Sequence, residues 1–349
     1  MRREALLYDR LEGNAVRCRV CQWRCRIGEG KAGVCQTRVN ESGTLYTLIY
    51  GEVSSVAVDP IEKKPLFHFF PTSRVFSLGT WGCNFHCKHC QNWQISYAVP
   101  HAGGWSAEGA IQGPGRQITP RASVEMALSQ GCAGIAWTYN EPGIWLEHTL
   151  ESACLAREAG LYTVYVTNGY LSEESLDAIG PYLDAYRVDI KGFGDRAYRE
   201  LAGVPGSEGI LRMAERAKHR WGMHVEVVTN LVPGLNDEPE QLAAIARWIR
   251  DALGPDTPWH VTRSFPQAEM IHTSPTPVGA VLRAREIGLQ EGLSFVYPGN
   301  MPGGDAENTR CPACGALAIR RSGYLTEMVA VAPGGTCASC GKALNLRGC

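Results

Sequence analysis

The sequence predicts an α/β protein: a partial or complete (β/α)6–8 barrel with a small four-cysteine module on either side. Three observations predict this architecture. Short β-rich runs alternate with helical patterns from about residue 73 to residue 300, the fourteen cysteines are clustered, and the segment before residue 73 is β-rich and punctuated by proline. The predicted modules are residues 1–60, with four cysteines, residues 61–300, the barrel, and residues 301–349, of zinc-ribbon or rubredoxin-like type.

The barrel prediction rests on the strands and their spacing. Strands are predicted at 74–80, 134–139, 162–168, 185–190, 224–230, 259–265 and 294–300. Amphipathic or alanine-rich segments separate them, and parallel strands need such helical crossovers. Six or seven βα units in roughly 230 residues favour a barrel, while a doubly wound sheet is the alternative that strand number leaves open. The glycine- and proline-containing loop over 98–115 is interpreted as a lid or a simple insertion.

Composition excludes several classes of protein. Charged residues make up 20% of the 349 residues, and the net charge is −1, so no electrostatic footprint for nucleic acid or an anionic membrane is expected. The start of the chain, "MRREALLYDRLEG", lacks the apolar core of a secretion signal, and no run of 18 or more apolar residues is present. We therefore expect a cytoplasmic protein without membrane or nucleic-acid partners.

The cysteines fall into groups of four, three and four. In a large intracellular protein such groups indicate metal ligands more often than disulfides. Cys132, Cys154 and Cys349 remain as single cysteines and are predicted to be unligated.

The middle group lies in "GCNFHCKHC", directly after the first predicted barrel strand. Cys83, Cys87 and Cys90 have the spacing C-x3-C-x2-C, and their position places them at the carboxyl ends of the strands, where barrels carry functional groups. Three thiolates can hold three irons of a [4Fe–4S] cluster and leave one iron open. A zinc site completed by His86 or His89 is the alternative.

This spacing, with His89 before the last cysteine, resembles the radical S-adenosylmethionine (SAM) superfamily. The resemblance implies that the methionine end of SAM chelates the open iron. It also implies that an electron from the reduced cluster splits SAM into methionine and a 5′-deoxyadenosyl radical. The cluster ligands Cys83, Cys87 and Cys90 are accordingly assigned to catalysis.

The other predicted strand ends resemble the same superfamily. "TYNEP" stands where radical SAM barrels carry a Gly-Gly-Glu-type turn, "TNG" is similar to a SAM contact region of pyruvate formate-lyase activating enzymes, and "DIK" resembles their Asp-x-Lys, whose Asp helps hold a monovalent cation. The resemblance implies cofactor binding by His89, Tyr139, Asn140, Glu141, Thr167, Asn168 and Asp189, and a catalytic position for Lys191.

The sixth predicted strand adds His260 as a candidate catalytic residue. His260 and Arg263 are three residues apart on a strand and face opposite ways, so only one can line the cavity. Glu226 on the fifth strand belongs to a weaker match. For each of these polar residues the alternative is structural, as a cap or a solvated side chain at a strand end.

The outer cysteine groups predict two further metal sites. "CPACG" and "CASCG" place Cys311, Cys314, Cys337 and Cys340 in paired knuckles, which predict a four-thiolate site for zinc or, as in rubredoxin, iron. The N-terminal group has the compact spacing C-x2-C-x3-C-x9-C, which suits zinc or an additional [4Fe–4S] cluster; its members are Cys18, Cys21, Cys25 and Cys35.

Longer stretches resemble one branch of the superfamily. "YGEVSSVAVDPIEKKPLFHFFPTSRVFSLGTWGCNFHCKHCQNWQIS", "TYNEPGIW", "VTNGY", "VDIKGF" and "PWHVTRSFPQAEM" are similar to AmmeMemoRadiSam-system radical SAM enzymes, relatives of pyruvate formate-lyase activating enzymes. The resemblance implies an AMMECR-type or Memo-type partner protein and a flavodoxin- or ferredoxin-type electron donor. Hydrogen abstraction from a protein, peptide or small molecule is the expected reaction. Activation of a glycyl-radical enzyme is the alternative, and a non-catalytic zinc-ribbon adaptor a remote one.

Overall fold

The computed structural model describes residues 2–101, 104–106, 116–301 and 304–349. Most of the loop over 98–115, interpreted above as a lid or an insertion, lies outside these residues. Within the described ranges, no helix combines the length and the apolar character that crossing a bilayer requires.

The N-terminal region is made of short strands that surround the first cysteine group. They are β1 (Arg3–Glu4), β2 (Tyr8–Arg10), β3 (Val16–Cys18), β4 (Arg26–Ile27), β5 (Arg38–Glu41), β6 (Thr44–Thr47) and β7 (Glu52–Val53). Antiparallel pairing gives two small sheets, in the orders β1-β6-β5 and β2-β3-β4. Arg38 of β5 anchors this region, because its guanidinium forms a buried ion pair of 2.7 Å with Glu147 of the central region.

The central region carries the main sheet. Its strands are β8 (Ser55–Pro60), β9 (Arg74–Gly79), β10 (Val99–His101), β11 (Gly104–Ser106), β12 (Arg116–Gln117), β13 (Gly134–Trp137), β14 (Tyr162–Thr167), β15 (Ala185–Asp189), β16 (His224–Leu231), β17 (Trp259–Arg263) and β18 (Val296–Gly299). Within the described chain, eight of them form one sheet in the order β18-β17-β16-β15-β14-β13-β9-β8. From β9 to β18 all neighbours are parallel, and β8 pairs antiparallel with β9.

The parallel strands agree with the sequence prediction. Each of the seven predicted barrel strands is present, with its ends within two residues of the predicted ones. Among the described residues no strand ladder joins β18 to β8, so hydrogen-bonded closure of a barrel is not observed. β8 also belongs to this sheet, although residues 55–60 fall in the segment predicted as the N-terminal module.

Helices connect the parallel strands. They are α1 (Trp93–Ser96), α2 (Pro120–Ser129), α3 (Leu146–Glu158), α4 (Glu173–Ile179), α5 (Asp195–Ala202), α6 (Glu208–His219), α7 (Pro239–Trp248) and α8 (Val278–Gln290). Local sequence sets their ends: Thr119 caps α2 by accepting a hydrogen bond from the Ala122 N–H, and Pro120 occupies the first helical turn. Strand residues alternate between two cores, so that Ile135 and Trp137 belong to the large core that also contains the helices.

The other face of the sheet is filled at one end by the connection between β8 and β9. Phe69 of this connection packs in a separate core with Ala136, Val164 and Ala185, whose side chains alternate with those that join the helices. The backbone N–H groups of Phe67 and His68 donate to the Glu226 carboxylate on β16, at 3.0 and 2.8 Å. We call residues 61–72 the plug, because they close the inner face of the sheet below the carboxyl ends of its strands.

The C-terminal region packs against the plug. Its strands are β19 (Thr309–Arg310), β20 (Leu317–Ser322), β21 (Leu325–Met328), β22 (Val331–Ala332) and β23 (Thr336–Cys337). Arg321 donates to the Phe67 carbonyl at 2.8 Å, and the Arg347 N–H donates to the His68 carbonyl at 2.9 Å. This region therefore supports the same segment that forms the floor of the cavity described next.

Candidate active site

A cavity of about 620 Å³ lies at the carboxyl ends of the parallel strands. All twelve residues that the sequence proposed for catalysis or cofactor binding line it: Cys83, Cys87, His89, Cys90, Tyr139, Asn140, Glu141, Thr167, Asn168, Asp189, Lys191 and His260. Arg263 is not among the lining residues, which agrees with the expectation that only one of the two sixth-strand side chains faces inward. The chemical roles assigned to these residues remain predictions.

The three cysteines lie on the loop between β9 and α1. The Cys90 N–H donates to the Cys87 carbonyl at 2.9 Å, the Tyr97 hydroxyl donates to the same carbonyl at 2.6 Å, and the Lys88 N–H donates to the Leu201 carbonyl at 2.9 Å. Burial raises the pKa of the Cys87 thiol to about 12, and it raises the pKa of Cys83 as well. These thiols therefore need a cationic centre to bind as thiolates.

The sulfurs of this loop are not arranged as in a compact single-ion site. Around one zinc or iron, thiolate sulfurs lie about 3.8 Å apart, given metal–sulfur bonds of about 2.3 Å in a tetrahedron. Among the described residues, only the C-terminal cysteine group has three or more ligand atoms within 4.8 Å of one another. The sulfurs of Cys83, Cys87 and Cys90 lack this compact spacing, which thiolates on separate irons of one cluster do not need.

Asparagine side chains tie the cysteine loop to the neighbouring strand ends. Asn140, after β13, accepts from the Thr80 N–H at 3.1 Å and donates to the Gly82 carbonyl at 2.6 Å. Asn168, after β14, donates to the side-chain oxygen of Asn84 at 2.8 Å. The loop is thus held from two strand ends by neutral groups.

Tyr139 occupies a position where the superfamily pattern has glycine, and its backbone keeps a conformation typical of glycine. Its φ is +75°, a left-handed conformation that glycine adopts freely and that bulky residues rarely adopt. Asn92 donates to its carbonyl at 2.6 Å, its hydroxyl donates to Asp59 at 3.2 Å, and the Lys64 ammonium lies 5.0 Å from the centre of its ring. These contacts hold a conformation that the residue would otherwise avoid.

Glu141 joins the ends of β13 and β14. Its carboxylate accepts from the Gly143 N–H at 2.8 Å, from the Thr167 hydroxyl at 2.8 Å and from the Asn168 N–H at 2.8 Å. Burial raises the pKa of this carboxyl to about 7, although these donors oppose the rise. Both carboxylate oxygens are therefore already engaged by the protein, and Glu141 acts as a brace between two strand ends.

Asp189 at the end of β15 lies between two cationic side chains. Arg187 contacts one carboxylate oxygen at 2.5 Å, and Lys191 contacts the other at 3.4 Å. Burial opposes ionisation, but Arg187 and Lys191 outweigh it and hold the pKa of Asp189 below its usual value. Asp189 is thus a half-buried carboxylate that lines the same cavity as the cysteines, which suits the cation-binding role implied by the resemblance.

His260 is held by a buried carboxylate at the floor of the cavity. Its Nε2 lies 2.7 Å from Glu226, and the His224 Nε2 lies 3.0 Å from the other oxygen of the same carboxylate. Burial raises the pKa of Glu226, but the two histidines outweigh it and leave the pKa well below normal. Because Glu226 accepts at Nε2, the His260 Nδ1 keeps its lone pair. Glu226 therefore has a positioning role.

His89 lies within the cysteine loop, between Cys87 and Cys90, and is almost fully buried. Burial lowers its pKa to about 3, and Lys191 adds to this effect. Its Nδ1 has no hydrogen-bond partner among the described residues. A neutral imidazole with a spare ring nitrogen is thus available beside the cysteines.

Several lining residues were missed by the sequence analysis. Arg187 lies two positions before Asp189 on the same strand, so period-two alternation could have found it. Lys64 comes from the plug and Tyr324 from the turn between β20 and β21. No local pattern indicates these two, because only tertiary packing brings them to the cavity.

The C-terminal cysteines form a compact four-sulfur site. The sulfurs of Cys311 and Cys340 are 3.5 Å apart, those of Cys314 and Cys337 are 3.7 Å apart, and all four lie within 4.8 Å of one another. These separations fit one tetrahedral metal ion with thiolate ligands. The predicted four-cysteine group is therefore present, and its geometry suits either zinc or iron.

The N-terminal cysteines also gather around one point. Cys18, Cys21, Cys25 and Cys35 line a small void together with Trp23 and Arg38. Within the described part of the chain, no three of their sulfurs lie within 4.8 Å of one another. The same holds for the central cysteine loop but not for the C-terminal group.

Comparisons with known proteins agree with this arrangement. Residues 79–249 match the model of the radical SAM superfamily. "Uncharacterized protein MJ0808" of Methanocaldococcus jannaschii is 43% identical over 319 residues, covering 91% of each chain. The isethionate sulfite-lyase activating enzyme of Nitratidesulfovibrio vulgaris is 30% identical over 118 residues, 34% of this chain and 38% of that one.

A solved structure is also similar. The structure of a domain of pyruvate-formate lyase-activating enzyme from Bacteroides vulgatus is 16% identical and covers 48% of this chain and 99% of that chain, with a TM-score of 0.40. The superfamily match spans the cysteine loop and the strand ends of the cavity up to the fifth predicted strand. Residues 79–249 therefore belong to the radical SAM superfamily of enzymes.

Proposed function

We propose that this enzyme binds a [4Fe–4S] cluster through Cys83, Cys87 and Cys90 and cleaves SAM reductively to abstract hydrogen from a protein, peptide or small molecule. The observation that carries the proposal is that three thiols, one buried and two half-buried, line one cavity together with four further strand ends. When bound, the cluster supplies the electron that splits the sulfonium bond of SAM and yields the 5′-deoxyadenosyl radical. The protein supplies binding, orientation and a dry environment.

The residues of the cavity suit distinct parts of SAM. The backbone at Tyr139 and Asn140 is the proposed contact for the ammonium group, because both oxygens of the Glu141 carboxylate already accept hydrogen bonds from the protein. Asp189 and Lys191 suit the carboxylate end of SAM, with Asp189 holding a monovalent cation. Thr167 and Asn168 line the same cavity as the cysteines.

Substrate occupies the deeper part of the cavity in this proposal. His260 lines the floor and presents a neutral imidazole that Glu226 orients. Arg187 and Lys64 line the same cavity and provide positive charge there. His260 is the residue placed to move a proton or to orient a polar substrate group.

We further propose membership of the AmmeMemoRadiSam system. The resemblance of the stretches quoted above, which lie between Cys18 and Asn300, supports it. An AMMECR-type or Memo-type protein is the proposed partner, and a flavodoxin or ferredoxin is the proposed electron donor. Zinc is the proposed ion of the C-terminal site, with iron as its alternative.

Activation of a glycyl-radical enzyme is the second candidate. The similarity to an isethionate sulfite-lyase activating enzyme favours it, although that similarity covers only 34% of this chain. The two candidates differ in product. An activating enzyme leaves a persistent glycyl radical on a partner protein, detectable by electron paramagnetic resonance (EPR), whereas a small-molecule enzyme leaves none.

The first test is formation of 5′-deoxyadenosine by the anaerobically reconstituted protein with SAM and dithionite. Cys87→Ala should abolish the product, because the cluster loses one of its three thiolates. Cys154→Ala is the matched control, since Cys154 lies on α3 and does not line the cavity, and it should retain wild-type product. Undiminished 5′-deoxyadenosine from Cys87→Ala protein would overturn the proposed cluster site.

A further inference from the structure

The N-terminal cysteine group has features that the proposed reaction leaves unexplained. Cys18 ends β3, and Cys21, Cys25 and Cys35 follow on the turns around β4. The four side chains line one void. The group is therefore a gathered ligand set rather than four separate buried thiols.

The separation of the sulfurs distinguishes this site from the C-terminal one. Within the described chain, the C-terminal sulfurs satisfy the geometry of one tetrahedral ion, whereas neither the N-terminal group nor the central three cysteines bring three sulfurs within 4.8 Å. Thiolates that bind separate irons of a cube lie farther apart than thiolates on one ion. The N-terminal group thus lacks the compact sulfur spacing of the C-terminal site, as the cysteine loop also does.

Arg38 provides a second, independent observation. Its Nη atoms bind Glu147 and the Ile144 carbonyl, but its buried Nε has no hydrogen-bond partner among the described residues. The same side chain lines the void together with the four cysteines. An unused N–H and a buried positive charge beside four thiols suit an anionic metal–thiolate centre.

The two wider cysteine groups are neighbours in space. The Trp23 indole N–H donates to the carbonyl of Asn84 at 2.7 Å, and Asn84 follows Cys83 directly. On the other side, a Cβ placed on Gly82 would lie 2.9 Å from the Cys35 carbonyl oxygen, so the backbones touch there. Both contacts involve direct neighbours of Cys83, so one hydrogen-bonded path and one backbone contact connect the two groups.

The outer side of the N-terminal group faces solvent. Residues 28–32 are exposed, and Val34, beside Cys35, has 51% of its surface exposed. A redox protein could thus approach the N-terminal group without entering the cavity.

We propose that Cys18, Cys21, Cys25 and Cys35 bind a second [4Fe–4S] cluster that passes electrons to the cluster at Cys83, Cys87 and Cys90. A low-potential flavodoxin or ferredoxin gives one electron and reduces the N-terminal cluster from [4Fe–4S]2+ to [4Fe–4S]+. That electron then moves to the cluster in the cavity, which is reduced by one electron while the N-terminal cluster returns to [4Fe–4S]2+. The relay, though not the metal site, rests on the function proposed above.

The metal site is tested with the N-terminal cysteines left intact. The variant carrying Cys83→Ala, Cys87→Ala and Cys90→Ala is reconstituted without oxygen beside the wild type, and acid-labile sulfide is counted, because a single ion in the C-terminal site contributes none. The wild type should contain about eight sulfides per chain, and the triple variant about four.

The other sulfide counts separate the two hypotheses. About four in the wild type and none in the triple variant would overturn the N-terminal cluster and leave the proposed function standing. About four in both proteins would instead remove the cluster from the cavity. None in either protein would overturn both.

The relay is tested by EPR of the fully reduced wild type. Two adjacent reduced clusters should give a signal broadened by spin–spin interaction, and this broadening should disappear in the triple variant. Addition of SAM should change the wild-type spectrum and leave the triple-variant spectrum unchanged. A wild-type spectrum equal to the sum of two non-interacting signals would overturn the relay.

Discussion

Neutral amide side chains hold the cysteine loop in place. Asn140 and Asn168 satisfy backbone and side-chain groups of the cysteine loop without adding charge to it. The charge next to the loop comes instead from Asp189 and its two cationic neighbours. Loop position and local potential are thus controlled by different residues, and they can be changed separately by mutation.

Asp189→Asn should weaken SAM binding at least tenfold. The substitution keeps the shape of the side chain but removes the charge that balances Arg187 and Lys191 and that would bind a cation. Equilibrium dialysis with SAM under anaerobic conditions measures the change. Asp195→Asn, at an exposed position in the first turn of α5, is the matched control. Equal affinity of the two variants would return Asp189 to a structural role.

Glu141 makes stability depend on pH near neutrality. Burial raises its pKa to about 7 in the folded protein, against about 4.3 in an unfolded chain. A raised carboxyl pKa contributes stability that is fully present below about pH 4 and is lost as pH rises through about 7. Glu141→Gln cannot ionise, so the stability of the wild type relative to this variant should fall by about 1–2 kcal/mol between pH 6 and pH 8.

Thermal unfolding of both proteins across this pH range measures the Glu141 effect. Glu158→Gln, at the exposed last position of α3, controls for the loss of a surface carboxylate. A constant difference between wild type and Glu141→Gln would show that Glu141 stays ionised throughout.

At the scale of elements, the plug decides where the cavity ends. It fills the inner face of the sheet with Phe69 and at the same time gives two backbone N–H groups to Glu226, which orients His260. The packing of a loop and the position of a candidate catalytic side chain are therefore coupled. Loss of this packing should therefore also disturb the position of His260 at the cavity floor.

Phe69→Ala should destabilise the protein by about 3–5 kcal/mol, because it removes a fully buried ring from a closed core. The ring also contacts Tyr162 and Phe70 edge-on, with centroids 5.1 and 4.9 Å away. Phe265→Ala is the matched control, since Phe265 is 39% exposed. Chemical denaturation of the two variants measures the difference, and similar midpoints would mean that the plug contributes little to the core.

For the whole molecule, sequence reasoning succeeded where chemistry follows a local pattern. β-rich runs between helical segments located the parallel strands, and strand ends located the cavity. It failed for Lys64 and Tyr324, which reach the cavity from the plug and from the C-terminal hairpin. Their neighbours along the chain carry no signal, because the contacts form only after three separate regions have packed together. No local sequence pattern predicted the packing of the C-terminal region on the plug either.

That packing links the C-terminal four-sulfur group to the cavity floor. If this group binds the proposed ion, the small region around it depends on the ion for folding, so Cys340→Ala should release the ion and loosen residues 309–344. Arg321 and Arg347 contact the backbone of Phe67 and His68, and these contacts should loosen with it. Hydrogen exchange should therefore rise in residues 65–70 as well.

Cys349→Ala changes an exposed cysteine outside the four-sulfur group, so it is the matched control and should leave both segments protected. Exchange that rises in residues 309–344 alone would show that the plug holds its position without the C-terminal region.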